Sequence, residues 1–157
     1  MKNISQKMFQ WLLHFFFPRT CFACGRDLPY NAREPLCVSC AAGLTVPGPL
    51  VCQRCGAVLQ SGGAHCYACR GGKGKSYKCK VIRAAFVFNE FSRPLVHALK
   101  YGGADYLARY MGGLMAVRYR AYAELAEAEL VVPVPLFASR LKRRGYNQSE
   151  LLARAFA

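Results

Sequence analysis

Acidic residues are scarce: 8 Asp and Glu stand against 22 Lys and Arg in 157 residues, a formal charge of +14. No apolar run approaches the roughly 18 residues that a membrane span needs. The longest one near the start, Trp11 to Phe17, is interrupted by His14 and runs into Pro18-Arg19-Thr20 without a small-x-small cleavage site, so a signal peptide is not expected. A disordered polyelectrolyte is excluded as well, because 54% of the residues are apolar. A globular, largely soluble, basic protein of one or two small domains is expected.

Cysteine is abundant. The positions 21, 24, 37, 40, 52, 55, 66, 69 and 79 give four Cys-x2-Cys pairs and one single residue. Two thiolates enclosing two residues converge from a tight turn onto one tetrahedral ion, whereas the same pair makes a strained disulfide. The units read Cys-x2-Cys-x12-Cys-x2-Cys and Cys-x2-Cys-x10-Cys-x2-Cys, and Cys21, Cys24, Gly25 and Leu28 recur as Cys52, Cys55, Gly56 and Leu59. The repeat favours four ligands per unit, Cys21, Cys24, Cys37 and Cys40, then Cys52, Cys55, Cys66 and Cys69, with interleaved pairing left open. A disulfide framework would need a secretory route. Iron–sulfur ligation also uses four cysteines, but two ribbon-like repeats fit structural zinc better. Two structural zinc ions are expected, and closed sites leave no open position for chemistry. Each filled site carries a net −2, which lowers the formal charge to about +10.

His65 could replace a ligand but reads as a ribbon-surface histidine. Cys79, between Lys78 and Lys80, reads as an incidental thiol, although its neighbours favour a thiolate. Arg70 to Arg83, RGGKGKSYKCKVIR, is a basic hinge without an acid. It is either a solvated connector or a phosphate contact through Lys73, Lys75, Lys78 and Lys80, with Tyr77 available for stacking.

Before the ribbons, Ser5 is placed to cap a helix that Pro18 stops, with Met8, Phe9, Leu12 and Phe16 on one side, expected to pack against its own protein rather than a partner or membrane surface. After the hinge, Val81 to Phe88 reads as a strand, Ser92 with Pro94 opens a helix carrying Leu95, Val96 and Leu99, and Gly102-Gly103 ends it. Asp105 to about Arg120 reads as a helix with Leu107, Met111, Leu114 and Met115 in the core, Leu130 to Val134 as a second strand. Asn147, with Glu150 three positions on, caps a last helix through Leu151, Leu152 and Phe156. This order is the beginning of a three-layer α/β domain, incomplete at Ala157, and the chain is expected to be truncated. The expected division is 1–18 amphipathic helix, 19–70 double ribbon, 71–80 hinge and 81–157 α/β domain.

The paired cysteines, HALKYGG at His97 to Gly103, and VVPVPLFASRLKRRGYNQSELLARAFA at Val131 to Ala157 together resemble the ComF family of competence-associated proteins. The resemblance implies a zinc ribbon followed by a type I phosphoribosyltransferase-like α/β domain. It also implies a cytoplasmic role in handling transforming single-stranded DNA; association with the inner face of the membrane, and a helicase or translocation-channel component as partner, are the expectations of an interaction module built on the ribbons and the N-terminal helix. It places Pro133, Val134, Pro135 and Leu136 at a pyrophosphate loop and Arg140, Arg144, Gly145, Tyr146, Asn147 and Gln148 in a ligand segment. The acid pair and phosphate turn that bind phosphoribosyl pyrophosphate in such enzymes are missing, so no catalytic residue is assigned and the chain as given is not expected to catalyse transfer. Independently of the family, Arg140, Lys142, Arg143 and Arg144 beside Gly145, Asn147 and Gln148 suit phosphate or carboxylate, or complement a helix end. Lys100 and Tyr101 are a weaker candidate. Three functions compete: nucleic-acid handling, phosphoribosyl transfer in a full-length protein, and a ribbon adaptor that docks a partner.

Overall fold

A computed structural model describes residues 4–70 and 79–157; for residues 4–7 and for Gln10 it describes the backbone alone. The order is α1 (Ile4–Phe16), α2 (Val38–Ala42), α3 (Tyr67–Arg70), α4 (Ser92–Tyr101) and α5 (Leu107–Tyr119). A 3₁₀ turn at Ala123–Leu125, α6 (Ala138–Arg144) and α7 (Gln148–Phe156) follow.

The ribbons are two copies of one backbone design. In the first, the N–H of Cys21 donates to the Arg26 carbonyl at 2.8 Å, that of Gly25 to Cys21 at 2.8 Å, and that of Leu28 to Arg19 at 2.7 Å. The second repeats this 31 residues later, with Cys52 to Ala57 at 2.8 Å, Gly56 to Cys52 at 2.9 Å and Leu59 to Leu50 at 2.9 Å. The isolated antiparallel bridges Thr20–Asp27 and Val51–Val58 close the two knuckles. The second pair of each unit sits on a short helix: Cys37 is the residue before α2 and Cys40 lies within it, while Cys66 precedes α3 and Cys69 lies within it.

One continuous core joins the first ribbon to the helices that follow. Cys21, Leu28, Leu36 and Cys40 are buried together with Leu95 and Leu99 of α4, Ala104, and Leu107, Ala108 and Met111 of α5. Asn89 ties the two parts, its side-chain amide donating to the Gly43 carbonyl at 2.9 Å while its oxygen accepts from the N–H of Ser92 at 3.0 Å. Ser92 is fully buried and its hydroxyl donates to the Val87 carbonyl at 3.0 Å. At the other end, α7 lies against α5, with Phe156 edge-on to Tyr119.

Several expectations are corrected. Among the described residues there is no sheet: Val81 to Phe88 and Leu130 to Val134 are extended or bent segments with no ladder between them. They flank a cavity of about 380 Å³ instead, through Ala84 and Ala85 on one side and Val131 to Val134 on the other. An apolar run of strand length becomes a strand only when a neighbour takes its N–H and C=O groups. The helix α1 forms and stops before Pro18, yet its apolar side does not pack on the protein: Trp11 is 59% and Phe15 69% exposed, and Met8, Phe9, Leu12 and Phe16 are exposed too. Ser5 lies within α1, and its side chain is outside the described atoms. His14 makes a tether, its Nε2 at 2.6 Å from the Leu28 carbonyl oxygen.

The helix expected from Ser92 is present, with Gly102 as its end. The next begins at Leu107 rather than Asp105; Leu107 and Met111 are buried, Leu114 and Met115 half-buried. Asn147 caps α7, its side-chain oxygen accepting from the Ser149 N–H at 3.1 Å. Glu150 pairs with Arg154 instead of reaching back, so only half of the expected capping box forms. No described helix is long and apolar enough to cross a membrane.

Candidate metal centres and basic surface

The pairing of the cysteines is sequential. The sulfurs of Cys21, Cys24, Cys37 and Cys40 lie within 4.8 Å of one another, as do those of Cys52, Cys55, Cys66 and Cys69. Cys24 and Cys37 are 3.8 Å apart and Cys55 and Cys66 3.6 Å, close to the roughly 3.8 Å edge of a tetrahedron with metal–sulfur bonds of about 2.3 Å. The donor set therefore fits zinc at both centres, all four corners of each being thiolates. His65 is in neither group; its carbonyl accepts from Arg70 at 3.2 Å. Cys79 is exposed and also outside both.

The surroundings prepare Cys24 of the first centre and Cys52 of the second for ionisation. Arg26 donates from Nε to the Cys24 sulfur at 3.4 Å and holds that thiol down at about 6. At Cys52 burial opposes the charge, but the backbone N–H groups around it win and bring the thiol to about 5. Burial and the neighbouring sulfurs push Cys40 and Cys69 up to about 12. A dication near the four sulfurs supplies the charge that removes these last protons.

The C-terminal candidates divide into bound and free side chains. The segments HALKYGG and RGYNQ meet: the Arg144 guanidinium lies 5.4 Å from the Tyr101 ring centroid and donates to the Gln148 side-chain oxygen, and the Tyr146 hydroxyl donates to the Leu99 carbonyl at 2.7 Å. Asn147 is engaged in capping and in a 3.1 Å donation to the Val134 carbonyl. Arg140 and Arg143 are exposed on α6, Lys142, Arg143 and Arg144 occupy its last turn, and Gly145 ends it in the left-handed region at φ 86°. Lys100 is half-buried at the end of α4.

In the basic hinge, Lys73, Lys75, Tyr77 and Lys78 lie outside the described residues. Lys80 is exposed and 4.0 Å from Glu127. Arg83 is consumed structurally, its side chain only 10% exposed and bonded to Glu124 and to the Gln53 carbonyl.

Residues 12–70 match the family model described as the double zinc ribbon domain, so the N-terminal region is defined as a pair of four-cysteine ribbons. Over 142 residues, 88% of this chain, the sequence is 30% identical to competence protein F of Haemophilus influenzae. The chain is thus a distant homologue of a competence protein, in keeping with the ComF resemblance of its motifs. It spans 59% of the length of that relative. No solved structure matches it.

Proposed function

We propose that this chain handles single-stranded DNA as a ComF-like competence protein, its ribbons acting as scaffold and its arginine-rich α6 as the phosphate contact. The observation that carries this reading is the meeting of HALKYGG with RGYNQ. Two segments 40 residues apart in sequence bring Tyr101 under Arg144, with Arg140 and Arg143 exposed on the same short helix. Guanidinium groups beside an aromatic ring suit phosphate and base together. The double zinc ribbon and the relation to a competence protein support the biological setting, which is cytoplasmic.

Binding of the zinc-loaded chain to a long oligonucleotide, followed against salt, tests the reading. Affinity falls with salt at a slope of about 0.7 per phosphate contact for single strands. Reversing Arg140, Arg143 and Arg144 to Glu flattens the slope and weakens all sequences alike. Absence of binding at low salt by a folded, zinc-loaded sample would end it.

The phosphoribosyltransferase-like character of residues 81–157 belongs to the same proposal. In a longer protein with an acid-pair phosphate turn, the Pro133 to Leu136 segment and the α6 cations would face phosphoribosyl pyrophosphate. A second reading, an adaptor that docks a translocation partner or the inner face of the membrane, is favoured by one observation: the aromatic side chains of α1 are exposed.

A further inference from the structure

A groove of about 910 Å³ runs between the first ribbon and α5, and no residue of α6 lines it. Arg19 and Arg33 of the ribbon and Arg109 of α5 line it together with Tyr106 and Tyr110. One acid, Glu34, is among them, so the lining is positive on balance. Arg33 and Arg109 are exposed, and among the described residues neither has an ion pair or side-chain hydrogen bond. Tyr106 is 62% exposed and is backed by Phe22, the ring centroids 6.1 Å apart.

Two comparisons within the molecule show that the ribbon fold does not need the charges of Arg33 and Glu34 and that α5 does not need a glycine at Gly113. The ribbons share their backbone bonds: the N–H of Phe22 donates to Pro35 at 3.1 Å and that of Gln53 to Ala64 at 2.9 Å. Counted from these matched bonds, the places of Arg19, Arg33 and Glu34 are taken in the second ribbon by Leu50, Gly62 and Gly63. The same ribbon thus forms without the charges.

On α5, Gly112 is required by packing, because a Cβ there would sit 2.6 Å from the Ala155 Cβ. Its neighbour Gly113 is not, since a Cβ there meets nothing within 4 Å. A helix-interior glycine costs stability relative to alanine. Gly113 lines the groove, and what its missing side chain provides is room.

We infer that this groove is a second contact for single-stranded nucleic acid, in which a base stacks on Tyr106 and the strand continues over the open floor at Gly113, about two helical turns on, while Arg33 and Arg109 take the flanking phosphates. An acidic peptide would use the arginines but leave the rings without a role. This inference rests on the single-strand reading above and adds a site to it.

The test uses the full zinc-loaded chain, a 20-nucleotide oligothymidylate and an abasic phosphodiester of equal length. Wild type should prefer the oligothymidylate, since stacking of one base is worth about tenfold. Gly113→Leu fills the floor, keeps every charge and meets no atom with its Cβ; it should lower that preference several-fold, leaving what Tyr101 contributes, with zinc content and helicity unchanged. Tyr106→Ala should do the same and Tyr106→Phe should retain the preference. If wild type binds neither polymer, the parent reading fails. If wild type prefers the oligothymidylate and all three variants keep that preference, the parent reading stands and the groove inference is overturned. Loss of polyglutamate binding in Gly113→Leu with oligothymidylate binding intact would assign the groove to acidic polypeptide and also overturn it.

Discussion

Gly25 and Gly56, 31 residues apart, occupy the same left-handed backbone state, φ 72° and φ 70°, and each donates its N–H to the first cysteine of its own pair. Their surroundings differ. A Cβ on Gly25 would meet nothing within 4 Å, whereas one on Gly56 would lie 2.6 Å from the Ile82 carbonyl oxygen. The first knuckle turns toward solvent there, and the second is pressed against the segment that enters the helical region, where the Ile82 N–H donates to the Arg54 carbonyl at 2.8 Å.

Gly25→Ala should therefore cost only the left-handed penalty, about 1–2 kcal/mol. Gly56→Ala should cost more, because backbone must also move. Urea unfolding of the two zinc-loaded variants compares them, and equal midpoints would mean that the Ile82 contact gives way freely.

Elemental analysis should find two zinc ions per chain, and Cys37→Ser should retain only the one held by Cys52, Cys55, Cys66 and Cys69. Because the two centres share no ligand, loss of the first should loosen the core that Cys21 and Cys40 enter, seen as faster hydrogen exchange in α4 and α5, while the second ribbon keeps its ion. Iron with charge-transfer absorption, or loss of both ions in Cys37→Ser, would contradict this.

The metal centres were legible in the sequence because ligand spacing is local: four residues and a turn fix a pair, and an internal repeat says which pairs belong together. Helices α4 and α7 were legible for the same reason, from Ser92 with Pro94 and from Asn147. The extended segments at Val81 and Leu130 were not. Whether an apolar run becomes a strand is decided by a partner distant in sequence, and here each run borders a cavity. The exposure of α1 was equally hidden, because an amphipathic pattern says which side is apolar and not what covers it. Arg19, Arg33 and Arg109 are scattered over 90 residues of sequence and become one groove only after the ribbon docks on α5.

Where α5 meets α7, Gly112 allows an approach that any side chain would obstruct, with Ala155 Cβ at 2.6 Å and the Leu152 carbonyl oxygen at 3.1 Å from a built Cβ. Gly112→Ala should force the helices apart and lower stability by about 1–3 kcal/mol, against any gain in helix propensity. Gly113→Ala, one residue on, should stabilise or leave the protein unchanged. Thermal melts of the pair check the contrast, and a stabilised Gly112→Ala would show that α7 shifts at no cost.

Arg83 joins three parts of the chain, since its guanidinium bonds Glu124 on the 3₁₀ turn, donates to the Gln53 carbonyl of the second ribbon at 3.0 Å, and lies 5.8 Å from the Tyr122 ring centroid. Tyr122 closes the circuit by donating its hydroxyl to the Ala84 carbonyl at 3.0 Å. Arg83→Ala should destabilise by about 1–3 kcal/mol, since a guanidinium whose side chain is only 10% exposed loses its bonds to Glu124 and to the Gln53 carbonyl together. Glu124→Gln should do less, because Glu124 is exposed. The Glu124 carboxyl is held below its ordinary value of 4.5 by its own backbone N–H first and by Arg83 second. A carboxylate with a lowered folded pKa stabilises fully above its unfolded value and loses that contribution as pH falls through the folded one. The difference in urea midpoint between wild type and Glu124→Gln should therefore be constant near neutrality and shrink only below about pH 4.5, where the zinc centres also begin to compete with protons for their thiolates. To separate the two, the comparison is made at matched zinc content. A difference that already vanished at pH 6 would mean that Glu124 is not charged against Arg83 in the folded protein.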